Sequence, residues 1–116
     1  MAEGFGKKIL HKFNVESAGT MPEKINPNAI KAMKNVAIDI SNYKSKKIEY
    51  SELAKFDYVI TLCGDAKDRC PVINANRHIH WNIPDPAKFN GNSNEIESQF
   101  SKVRDLIYSK IRELKI

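Results

Sequence analysis

Apolar positions along the chain change period several times, and each change marks an element. Residues 1–12 place Phe5 and Ile9 on one helical face, with the stem of Lys12 continuing it. The segment Val15 to Thr20 (VESAGT) predicts a short strand that stops at Gly19. Asn26-Pro27 then opens a helix, with Asn as the cap and Pro in the first turn. Its face runs through Ala29, Ile30, Met33 and Val36. Residues 41–47 are polar and predict a turn region followed by a short helix. Residues 56–62 (FDYVITL) are nearly continuously apolar, as a strand covered on both faces should be. Residues 64–70 predict a helical turn stopped by Pro71. Residues 78–83 (HIHWNI) alternate and predict another strand. Pro84-Asp85-Pro86 is a stiff loop. The last helix spans 95–114, with Ile96, Phe100, Val103, Ile107, Ile111 and Leu114 at helical spacing.

Strands separated by helices imply an α/β fold with a parallel sheet flanked by helices in three layers. In such sheets the working loops lie beyond the carboxyl ends of the strands. Cys63 follows one strand and Asp85 follows another, so both are expected at one edge. Only three strands are predicted, and the chain opens with a helix, which is thin for a parallel sheet.

Composition narrows the function classes. A chain of 116 residues, 41% apolar and 28% charged, reads as one domain over 1–116. Net charge is +5 but is spread over both halves with no basic run, which argues against a nucleic-acid partner. No apolar run reaches membrane-span length and no secretory leader is visible, so the cytoplasm is the expected location and no membrane partner is expected.

The chemistry gathers in TLCGDAKDRCP, residues 61–71, which holds both cysteines of the chain. Cys63 and Cys70 have three readings. They are small buried hydrophobes, or zinc ligands with His78 and His80, or a redox pair. C-x6-C-x7-H-x-H matches no common structural zinc pattern. As a helix the segment would hold the two Cα atoms ~10 Å apart, beyond the ~7 Å limit for a disulfide. A redox pair therefore requires the segment to unwind, which Gly64 favours. Lys67 and Arg69 favour the thiolate, the attacking species.

TLCGDAKDRCP resembles the cysteine-pair segment of the thioredoxin-coupled arsenate reductases, which share the low-molecular-weight tyrosine phosphatase fold. The likeness extends through MAEGFGKKIL, VESAGT, INPNAIKAMKNVAIDISNYKS, FDYVITLC, HIHWNIPDPAK and FSKVRDLIYSKI, essentially the whole chain. It implies reduction of arsenate to arsenite, an arsenical-detoxification activity. A first cysteine in a C-x5-R phosphate loop attacks arsenate, and two further cysteines relay the oxidation to thioredoxin. By position Cys63 resembles the second cysteine and Cys70 the third. Asp85 resembles the acid facing the phosphate loop, where its bare alternative is a turn residue. No cofactor is implied. Some members hold potassium near residues matched by Glu3 and Ser17; Lys46 stands where an Asp is expected, so no metal is assigned.

In that family MAEG follows directly after the phosphate loop. The first, central strand and its loop are therefore expected to be missing ahead of Met1, leaving this chain impaired or inactive. Full members are expected to be monomers, and exposed edges at 15–20 and 56–62 would let this chain associate. The alternatives are a tyrosine or small-molecule phosphatase of the same fold, or a non-catalytic remnant that keeps the scaffold as a binding module.

Overall fold

Asn26 does what its sequence context demands. Its side-chain oxygen accepts a hydrogen bond from the Asn28 backbone N–H at 2.9 Å, and Pro27 fills the first turn where no N–H is needed. A computed structural model describes residues 1–18, 24–44, 46–47, 50–62 and 77–114. Two compact units emerge, one of Met1–Lys47 with Pro86–Ile116, the other Ile48–Asp85.

The first unit is helical. It contains α1 (Ala2–Ile9), α2 (Pro27–Lys34) and α3 (Ser93–Arg112), with a 3-10 turn at Pro86–Lys88. Asn92 caps α3 by accepting from the Glu95 N–H at 2.9 Å, and Glu95 places its carboxylate in the positive first turn. α1 and α2 both pack on α3. Phe5, Ala29, Ala32, Met33, Ile40, Phe100, Val103, Ile107 and Ile111 are buried. Phe5 and Tyr108 meet as tilted rings with centroids 5.2 Å apart. Arg104 donates to the Ala32 carbonyl at 3.0 Å, satisfying an acceptor that the last turn of α2 leaves open.

The second unit holds a 3-10 helix, Tyr50–Lys55, and two strands, β1 (Val59–Thr61) and β2 (His78–His80). The strands pair in parallel, Val59 with His78, Ile60 with Ile79 and Thr61 with His80. Trp81 N–H extends the ladder to Thr61 O at 2.8 Å. Beyond β2 the alternation persists: Trp81 and Ile83 are buried, and Asn82 between them is exposed.

Several boundaries differ from the sequence expectation. α1 ends at Ile9 rather than Lys12, because Leu10 leaves the helical region while its N–H still bonds to Gly6 O. α2 ends at Lys34 and does not carry Val36 on its face. Ala37 turns the chain at φ 64°, with Ala37 N–H bonded to Lys34 O and Ile38 N–H to Met33 O. That closure normally uses Gly, so no stop signal was visible. The described part of 15–20, residues 15–18, is not strand; Val15 instead packs its methyls on Gly6. β1 is three residues long and its residues are half-buried. Its three residues pair with the three of β2. The helical turn expected at 64–70 lies outside the described residues. The coarse expectation, an α/β chain with a small parallel sheet and helices, stands.

Candidate active site

The parallel register puts the carboxyl ends of β1 and β2 at one edge of the second unit. From that edge β1 leads through Leu62 to Cys63, and β2 leads through Trp81 and Ile83 to Asp85. Asp85 is exposed and stands between Pro84 and Pro86, both in trans linkage. Cys63 and Cys70 lie outside the described residues, as do Lys67 and Arg69. The structure thus places Asp85 and the strand that precedes Cys63 in the second unit.

The sequence pattern did not signal a second feature at this edge. Thr61 Oγ1 lies 3.0 Å from His78 Nε2 and 2.6 Å from His80 Nδ1. The HIH letters were visible, but the hydroxyl between them becomes apparent only with the β1–β2 register. On the opposite face, the Arg77 guanidinium stacks 5.5 Å from the centre of the Tyr58 ring.

In the first unit, Ser17 Oγ donates to Glu3 Oε1 at 2.7 Å, and Lys7 Nζ lies 3.2 Å from Glu3 Oε2. Burial alone would raise the Glu3 pKa. The Ser17 and Lys7 contacts outweigh it and hold the carboxyl below its usual range. Lys46 pairs with Glu16 at 3.3 Å. A potassium ion does not fit this donor set: one ammonium already takes Glu3, and another sits on the residue beside Ser17. An open polar depression of about 270 Å³ between α2 and α3 is lined by Asn28, Lys31, Asn35, Asn94, Glu97 and Ser101 among others. No cysteine or histidine lines it.

Residues 1–115 match the family described as low molecular weight phosphotyrosine protein phosphatase. The chain belongs to this family. Among its phosphatase-family relatives, a protein of Oceanobacillus iheyensis named arsenate reductase is 49% identical, over 97% of this chain and 82% of that protein. Two solved structures are also similar. An arsenate reductase in the reduced state superposes with a TM-score of 0.76 at 30% identity, covering 96% of this chain and 82% of that one. One in the oxidized state gives 0.77 at 28%, covering 97% and 83%.

The letters C-x5-R do occur in this chain, from Cys63 to Arg69. They follow β1, in the position of the cysteine pair, and lie outside the described residues.

Among the described residues no helix is long and apolar enough to cross a membrane.

Proposed function

We propose that this chain acts in the reduction of arsenate to arsenite, with Cys63 and Cys70 as the resolving half of a cysteine relay. The observation that carries this is the 49% identity to an arsenate reductase over 97% of the chain. The cysteine spacing TLC-x6-CP is the element that plain phosphatases of this fold are not expected to share.

The relay runs as follows. A nucleophilic cysteine in a phosphate loop displaces hydroxide from arsenate and forms a sulfur–arsenic bond. Asp85 supplies the proton that the departing oxygen takes up. The Cys63 thiolate attacks the sulfur of that adduct. The sulfur–arsenic bond breaks, its electron pair stays on arsenic, and As(V) becomes As(III). Cys70 then attacks Cys63 and releases the first thiolate. Thioredoxin reduces the Cys63–Cys70 disulfide and closes the cycle.

Two cysteines supply only the second half of this sequence. The 116-residue chain alone should not turn over arsenate. Fused behind the C-x5-R segment of an arsenate reductase, it should consume thioredoxin-linked reducing equivalents when arsenate is added. Cys63→Ser and Cys70→Ser should each abolish that turnover. A fusion in which both serine variants keep full activity refutes the relay.

The C-x5-R letters at Cys63 favour one second reading, a phosphatase that uses Cys63 itself. It predicts phosphomonoester hydrolysis by the unfused chain.

A further inference from the structure

Alternation along β2 sends His78 and His80 to one face of the strand and Ile79 to the other. Burial follows the same rule: both histidines are exposed and Ile79 is half-buried. Parallel pairing sets Thr61 beside His80 on that face. The result is that His78 Nε2 and His80 Nδ1 both come within 3.0 Å of the Thr61 hydroxyl oxygen. A hydroxyl carries one proton, so it donates to one ring and accepts from the other. At least one ring therefore already presents a lone pair at the point of convergence.

We propose that His78 and His80 form a two-imidazole site for a divalent first-row transition ion of the nickel, copper and zinc group. Neutral imidazole suits these ions. Their bonds to nitrogen are ~2.0–2.1 Å, which sets two rings on one ion ~3 Å apart in a cis arrangement. Nitrogens already converged on one oxygen reach that spacing by small side-chain rotations. Both ring heads face solvent, so water completes the coordination. No group of three His, Cys, Asp or Glu side chains gathers around an ion-sized point among the described residues. The site is accordingly open and of modest affinity. Thr61 is a positioning residue: its hydroxyl orients the rings and stays within reach of an ion-bound water.

An oxyanion is the competing ligand chemistry, and the two demand opposite protonation. An anion needs charged rings and binds better as pH falls. A transition ion needs free ring nitrogens and is displaced by protons as pH falls.

The test is calorimetric titration of the Cys63→Ser/Cys70→Ser chain with NiCl₂, a redox-inert probe, so that thiolate ligation is removed. One Ni²⁺ should bind per chain, more weakly at acidic than at neutral pH. His78→Gln and His80→Gln should each abolish measurable binding, and Thr61→Val should weaken it by about tenfold. His11→Gln should leave it unchanged. An independent measurement on the otherwise native sequence is paramagnetic broadening of imidazole NMR signals, which should strike His78 and His80 and spare His11. Equal binding by the His78→Gln and His80→Gln variants, no binding by the thiol-free chain, or broadening centred on His11 overturns the site. So does inorganic phosphate binding that strengthens as pH falls while Ni²⁺ does not bind.

Discussion

Gly4 lies in α1 where the helix meets the most tightly enclosed part of the first unit. A methyl group placed there would stand 3.0 Å from Ile40 Cγ2, 3.1 Å from Met33 Cε and 3.2 Å from Ile38 Cγ2. Met33 is 0% exposed and Ile40 is 2% exposed, so neither can swing into solvent to make room. Gly4→Ala sets two effects against each other. Alanine favours the helix by ~1 kcal/mol over glycine. Forcing a methyl into a packed core costs ~1–3 kcal/mol. With three close contacts and two fully enclosed partners the packing cost wins, for a net loss of about 1 kcal/mol. That corresponds to a fall in Tm of about 4 °C for a chain of this size. Gly6→Ala is the internal control. Its methyl would meet only Val15, at 2.9 Å, and Val15 is half-buried in a stretch without helix or strand. Val15 can yield, so the Gly6 variant should lose less than the Gly4 variant. Urea denaturation followed by circular dichroism measures both midpoints and both slopes. A Gly4→Ala chain at least as stable as wild type, with an unchanged slope, would refute the packing argument.

Three further outcomes follow from the same geometry. Ala37→Gly should stabilise the chain by up to ~1 kcal/mol, because relief of a left-handed alanine (~1–2 kcal/mol) outweighs the extra unfolded freedom of glycine; a lower urea midpoint would contradict this. Glu3 has its folded pKa depressed by Ser17 and Lys7 against the effect of burial. The stability it contributes is therefore fully present above its unfolded value of ~4.3 and is lost as pH falls through the lower folded value. The stability difference between wild type and Glu3→Gln should shrink in that acid window; a difference constant with pH removes the assignment. Asp85→Asn in the fused enzyme should lower arsenate turnover by about a hundredfold, with thioredoxin still reducing a preformed Cys63–Cys70 disulfide at the wild-type rate.

Elements that carry a local chemical signal were legible in the sequence. Asn26-Pro27 announces a cap, and the spacing from Phe100 to Ile111 announces a buried helical stripe; both are realised. The alternation in HIHWNI holds through Ile83, although ladder hydrogen bonds stop near Trp81. Positions decided by distant partners were not legible. Ala37 has no sequence mark of a left-handed residue, because the carbonyls of Met33 and Lys34 impose that conformation. β1 takes up Val59–Thr61 within the apolar run of 56–62. The Thr61–His78–His80 convergence depends on the register of two strands 17 residues apart in sequence. The proposed roles of Cys63, Cys70 and Asp85 came from resemblance, since periodicity alone left the thiols with three readings.

The C-x5-R letters at Cys63–Arg69 carry the last discriminating argument. A phosphate loop works by aiming backbone N–H groups at a dianion in a site of positive potential. Residues 63–69 read Cys-Gly-Asp-Ala-Lys-Asp-Arg, so Asp65 and Asp68 would share the loop with the anion. A like charge ~5 Å away costs ~3 kcal/mol at an effective dielectric constant of ~20. Two such residues counteract the attraction of Lys67 and Arg69 and leave no net positive cradle. The same composition does not hinder a resolving thiol, which must reach another sulfur and be reached by thioredoxin, and which binds no anion. The unfused chain should therefore not hydrolyse p-nitrophenyl phosphate, whereas its two thiols should oxidise to an intramolecular disulfide and be restored by thioredoxin. Hydrolysis that disappears with Cys63→Ser and survives Cys70→Ser would make Cys63 a phosphatase nucleophile and would end the case for a relay.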